Sequence, residues 1–113
     1  MSNQYPKKAV TAGKVRISEN VVRSIAGVAA REVEGVEELA AGKRGLLPAP
    51  APVSVSISGD TVEITVRLIL KSSARLQIVA EQVQQNVKES VQSMTGVVVS
   101  KVHVVADDIV FDD

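Results

Sequence analysis

An α+β fold, a two-layer sandwich of two helices on a mostly antiparallel four-stranded sheet, is predicted by three features of this 113-residue chain. Apolar residues recur at helical spacing through Val21, Val22, Ile25, Val28, Ala29 and Val33, with Gly35 behind them. They recur again through Leu76, Val79, Ala80, Val83, Val87, Val91 and Met94, with Gly96 behind them. Around these stripes the period drops from 3.6 to two, the pattern of half-buried strands. Stripes and rows each need a partner to bury against, and a helix layer on a sheet satisfies both.

Taken in order, residues 1–12 are polar and carry Pro6, so they read as a flexible arm. Lys14-Val15-Arg16-Ile17 alternates and forms a short strand. Ser18 suits an N-cap, with Glu19 favourably placed in the first turn. The first helix runs to about Glu34 and stops at Gly35, where a left-handed residue costs least. Gly27 inside it costs about 1 kcal/mol relative to alanine; a close packing contact or plain tolerance accounts for it. Residues 36–52 are the least regular, ending in Pro48-Ala49-Pro50-Ala51-Pro52, which favours an extended linker within the domain.

Val53, Val55 and Ile57 alternate with serines, and Val62, Ile64, Val66, Leu68 and Leu70 alternate largely with polar residues. The Gly59-Asp60 step between the two runs marks a tight hairpin. Ser72 or Ser73 caps the second helix, residues 97–105 form the last strand, and residues 109–111 either add a short edge or dock. The order is β-α-β-β-α-β, and a ferredoxin-like arrangement is the simplest topology that has it. The domain spans residues 13–106, followed by an acidic tail at residues 107–113.

Composition narrows the function. The chain has no cysteine, hence no disulfide and no thiolate metal ligand, which suits the cytoplasm. Its 13 basic and 13 acidic residues balance, where a nucleic-acid binder carries a basic excess. No segment has the length and apolarity of a signal peptide or a membrane span, so direct membrane insertion is not expected. No cofactor and no metal site is expected: His103 is the only histidine, with no ligand cluster around it. Glu63 is the one strand carboxylate placed to share its face.

The candidate contacts are therefore surfaces. On the sheet face opposite the core, Arg16, Arg67 and Lys101 could hold an anion or small ligand; a solvated face is the plainer reading. An RNA-binding sheet would stack bases on strand aromatics, and none lies there. Lys43 and Arg44, between Gly42 and Gly45, lack the strand-to-helix setting of a phosphate-binding loop and read as a basic loop for an acidic partner or anionic surface. The second helix presents Gln77, Gln82, Gln84, Gln85, Asn86 and Gln92, either a subunit interface or solvated surface. Ile78 and the row Val97, Val99 and Val105 read as surplus apolar surface, pointing to self-association or edge pairing.

Two blocks resemble a known family. Gly13-Lys14-Val15-Arg16-Ile17-Ser18 followed by Val21-Val22-Arg23-Ser24-Ile25-Ala26-Gly27-Val28-Ala29-Ala30-Arg31-Glu32-Val33-Glu34-Gly35-Val36 resembles the start of the alkaline-shock-protein family of bacterial envelope-stress proteins. Val83-Gln84-Gln85-Asn86-Val87-Lys88-Glu89-Ser90-Val91-Gln92-Ser93-Met94-Thr95-Gly96 is similar to its helix ending in Met-Thr-Gly. The resemblance spans about residues 13–106 and implies a cytoplasmic, non-enzymatic protein of cell-envelope homeostasis that self-associates and gathers at the membrane through a membrane-anchored partner. It carries over no catalytic residue, and the short proline-rich stretch at residues 46–52 departs from the family's glycine-rich middle.

The basic start (Lys7, Lys8, Lys14, Arg16) and the acidic end (Asp107, Asp108, Asp112, Asp113) add a head-to-tail mode of homo-oligomer assembly. Its expected mark is oligomers that shrink as salt rises; a monomer in sedimentation at both low and high salt removes this mode.

Overall fold

The computed structural model describes residues 9–12, 15–40, 43–44, 47–48 and 51–111, with side chains over 17–40 and 51–111. The elements are β1 (Ala9–Ala12), β2 (Val15–Ser18), α1 (Glu19–Arg31), β3 (Val36–Leu39), β4 (Lys43–Arg44), β5 (Leu47–Pro48), β6 (Val53–Ser58), β7 (Thr61–Lys71), α2 (Leu76–Thr95) and β8 (Val98–Val110). The fold class is the predicted one: α+β, ferredoxin-like, two helices against a four-stranded, mostly antiparallel sheet.

β7 is the axis of that sheet. Its first half pairs antiparallel with β6 and its second half with β3, while β8 runs parallel along its whole length. β3 and β6 thus lie end to end on one edge of β7, and β8 takes the other. The changeover sits at Arg67, whose N–H donates to the Pro52 carbonyl (2.8 Å) and whose carbonyl accepts from the Ala40 N–H (3.0 Å). Between β3 and β6 the chain makes an excursion that carries the small β4–β5 hairpin. Gly59 and Asp60 form the predicted two-residue turn; positive φ at Gly59 alone fits the twist-matching II′ type.

The alternation of β7 puts Val62, Ile64, Val66, Leu68 and Leu70 against the helices, all buried. α1 meets them with Val22, Ala26, Ala29 and Ala30, and α2 with Val79, Val83, Val87 and Val91, one residue per helical turn. Each of the large buried side chains contributes about 1.5–3 kcal/mol. Asn86, expected on the outer face of α2, instead donates from Nδ2 to the Ala29 carbonyl (2.7 Å) and ties the helices together. Gly27 lies on the buried face of α1, where an added Cβ would stand 3.4 Å from Leu39 Cδ1, an ordinary contact, so tolerance and not close packing accounts for it.

Helix ends follow their capping chemistry in part. Ser18 Oγ accepts from the Val21 N–H (3.2 Å), and Gly96 closes α2 in the left-handed region at φ 78°. α1 stops at Arg31, earlier than expected; Gly35, at φ 100°, turns the chain into β3. α2 has no serine cap: Arg75 holds the N-cap position without a side-chain bond. Ser72 instead donates its N–H to the Val110 carbonyl (2.9 Å), closing the end of the β7–β8 ladder.

Four further expectations change. The strand at Lys14–Ile17 forms as β2 but pairs with β1, since both edges of β7 are already filled; β3 supplies the fourth strand. The arm at residues 1–12 accordingly ends in β1, and residues 1–8 lie outside the described residues. β8 runs on past Ala106 to Val110, so residues 107–110 belong to the sheet; Asp112 and Asp113 lie outside the described residues. Val97 and Val99 are core, whereas Val21, Val28, Leu76 and Met94 of the helical stripes face solvent.

The two glycines near the α1–β3 junction respond differently to alanine. A Cβ at Gly35 would stand 2.7 Å from Val79 Cγ2, on a backbone of positive φ, and Gly35→Ala is expected to cost about 2 kcal/mol. Gly27→Ala gains helix propensity against ordinary contact and is expected to stay within about 1 kcal/mol of the parent. Urea midpoints at constant slope check both.

Candidate functional site

The outer face of the sheet, away from the helices, is built by the odd-numbered residues of β7 and their neighbours. Glu63 stands between Ser56 and Lys101, and Thr65 between Ser54 and His103. His103 Nε2 lies 2.6 Å from Glu63 Oε2, on an open face where the two side chains are 47% and 46% exposed. An acid–base pair is thereby assembled, but in water, where an exposed ion pair contributes little.

Arg67 sits further along the same face. Its Nη2 donates to Asp107 Oδ1 (2.9 Å) and its Nε to Oδ2 (3.4 Å), a two-pronged contact that fixes both groups. A bulge in β8 makes this possible: Leu68 faces Ala106 and Ile69 faces Asp108, so Asp107 is the extra residue and turns its carboxylate toward Arg67. The Asp107 side chain is only 8% exposed.

Of the proposed cation set, the two described side chains, Arg67 and Lys101, are not brought together. Arg67 is committed to Asp107, and Lys101 faces Glu63, four positions before Val105, the register partner of Arg67. Arg16 lies in β2, on the separate hairpin, and Lys43 and Arg44 lie in β4; the side chains of all three are outside the described residues. The head-to-tail reading loses Asp107 to the same internal pair, and its Lys7, Lys8 and Lys14 lie outside the described residues. Among the described residues no three histidine or acidic side chains gather as a metal site, and no helix is long and apolar enough to cross a membrane.

What the alternation did not reveal is a groove along the edge of β8 away from β7, which carries no strand among the described residues. It has a volume of about 810 Å³, walled by Gln84, Lys88 and Gln92 of α2 and by Ser100, Lys101 and His103 of β8. Gln84 Nε2 donates to the Val102 carbonyl (3.1 Å), and Gln92 Oε1 accepts from the Val99 N–H (3.0 Å). Gln84 and Gln92, two of the glutamines expected on the polar face of α2, therefore occupy main-chain groups of the edge strand.

Comparison with known proteins places the chain. Residues 7–111 match the alkaline shock protein 23 family, described as having a cell envelope-related function. A protein of Bacillus subtilis (strain 168), YqhY, itself described as uncharacterized, is 31% identical over 107 residues, covering 88% of this chain and 79% of its own. Among solved structures, a cysteine-to-serine variant of the MamM CTD superposes with a TM-score of 0.52 at 15% identity, covering 79% of this chain and 94% of that one. The nickel form of another MamM CTD variant gives 0.52 at 15%, covering 79% and 96%. These likenesses show the fold alone.

The Arg67–Asp107 contact is structural and its loss is measurable. Arg67→Met, which keeps the stem but removes the guanidinium from a nearly buried carboxylate, is expected to cost about 2 kcal/mol in urea unfolding. Lys101→Gln, at an exposed position, is expected to stay within about 0.5 kcal/mol.

Proposed function

The chain belongs to the alkaline shock protein 23 family, and from that premise we propose that it is a non-enzymatic envelope-stress protein, acting by self-association and by binding a membrane-anchored partner. The observation that carries this reading is the placement of its large apolar side chains. Val98 at the start of β8, and Ile109, Val110 and Phe111 at and just past its end, are exposed, Phe111 to 75%, and Met94 at the end of α2 is exposed to 71%. Exposed apolar side chains at the ends of a strand edge give a partner apolar surface to bury.

The chemistry of the outer face supports the same reading. General acid–base catalysis profits from a pocket that excludes water and brings a third group to the dyad. The His103–Glu63 pair lies instead beside an open groove walled largely by amides and by charges of both signs. An anion-binding module using Arg16, Arg67 and Lys101 is the competing reading; the engagement of Arg67 with Asp107 weakens it. The protein works from the cytoplasm in this proposal and reaches the membrane through its partner.

Affinity capture from separated membrane and soluble fractions tests the proposal. The expected result is a specific integral membrane protein recovered with the chain, retained when Arg16 and Lys101 are replaced by glutamine. Recovery of a small anion instead, lost in the same double variant, replaces it with the binding-module reading.

A further inference from the structure

We propose that the free edge of β8 pairs antiparallel with the same edge of a second copy, about a two-fold axis through Val104. The inference rests on the self-association reading above and names its surface.

Among the described residues β8 has a strand partner on one side only, although it runs for 13 residues. An unpaired edge of that length is a template for another strand. The direction of its main-chain groups follows from the bonds already described. The Val110 carbonyl meets Ser72 on the β7 side, whereas the Val99 N–H and the Val102 carbonyl meet glutamines on the other. Alternation, interrupted at the two bulges, then puts the N–H and C=O of Val99, Val102, Val104, Ala106 and Ile109 on the free edge.

This sequence of positions is a palindrome. Reflection through Val104 carries Val102 onto Ala106 and Val99 onto Ile109, so edge-directed residues fall on edge-directed residues. The bulges are carried onto each other too: β8 has one extra residue at Ser100, between the partners of Val62 and Glu63, and one at Asp107, between the partners of Leu68 and Ile69. Ser100 and Lys101 of one copy therefore oppose Asp108 and Asp107 of the other. A two-fold antiparallel ladder requires both coincidences, because directly opposed residues must point their main-chain groups the same way.

Side-chain chemistry agrees with that register. Lys101 faces the carboxylates at the far end of the other strand, and Val98 faces Val110, each apolar and exposed in the single chain. α2 also leaves room. It begins against Gly35, near the β3 side of the sheet, and reaches the β8 edge only in its later turns through Gln84 and Gln92. Its hydrogen bonds to the edge fall at Val99 and Val102, in the first half, while Ala106 and Ile109 in the second half are exposed. The two-fold operation lays the second half of each strand along the groove under the other copy's α2. Three opposed pairs, Val102 with Ala106, Val104 with itself and Ala106 with Val102, supply about six main-chain hydrogen bonds. The Val102 carbonyl has a second lone pair for its share.

The full chain is tested by sedimentation velocity and by cysteine cross-linking, which the absence of native cysteine makes clean. The parent is expected to be a dimer. Ala106→Pro removes an N–H from the free edge and none from the β7 ladder, and is expected to run as a monomer with an unchanged circular dichroism spectrum. Val104→Cys is expected to oxidise to a covalent dimer, because opposed Cα atoms in such a pair stand about 5.5 Å apart. Ala106→Cys is expected to stay reduced, since its own counterpart lies about 13 Å away. A dimer that persists in Ala106→Pro, or cross-linking at 106 as efficient as at 104, removes this interface and leaves self-association standing. A parent chain that is monomeric throughout removes both. Should the proline variant misfold, the contrast between the two cysteine variants still decides.

Discussion

The structure depends on β7 being paired on both sides and buried on one face. Val62, Ile64, Val66 and Leu68 are fully buried, and among the described residues no other strand is flanked at both edges. β-Branched and aliphatic side chains on a pleated strand give a stiff, close-packed row. The helices meet that row with alanine and valine, which bring the layers close enough for Gly27 to lie against Leu39. Because β3 and β6 share one edge of β7, the sheet is in effect three strands across. Two helices cover it with a narrow apolar face and nothing to spare.

That width explains where sequence reasoning succeeded and where it overreached. The helices, the hairpin at Gly59-Asp60 and the N-cap at Ser18 were legible because local chemistry and hydrophobic period agree there. The stripes were read too wide. Val21, Val28, Leu76 and Met94 belong to the periodic pattern, yet a sheet three strands across leaves them outside. Two strand errors share one cause. In β3 a bulge between Val36 and Glu38 exposes Glu37 and Glu38 in succession, which breaks the period of two. In β8 the bulges at Ser100 and Asp107 do the same, so the strand read as shorter than it is.

The candidate site was legible as a face and not as a set of partners. Alternation correctly put Glu63, Thr65, Arg67, Lys101 and His103 on one side of the sheet. It could not show that Arg67 would be claimed by a residue 40 positions away, because that contact depends on the bulge that turns Asp107 outward. Counting cations along a strand overstates a basic patch whenever the neighbouring strand interleaves carboxylates, as Glu63 does beside Lys101. The glutamines of α2 show the opposite effect. Their uncharged amides both donate and accept, so they can occupy edge groups of either kind without burying a charge.

Among the described residues Arg67 pairs with Asp107 and His103 with Glu63 on the outer face, and the unspent capacity lies in main-chain groups of β8 from Val104 onward and in apolar side chains at its ends. Main-chain pairing alone is tolerant of sequence, so specificity must come from register. Here the bulges set it. A slip of one residue would oppose groups pointing toward β7 with groups pointing away, and a slip of two would set each bulge against regular strand. Irregularities that obscured β8 in the sequence are, in the proposed pairing, what distinguishes a second copy of this chain from any other extended segment. An interface of that kind needs no aromatic anchor and no charged hot spot, which suits a chain with only Tyr5 and Phe111 as aromatics and a net charge of zero.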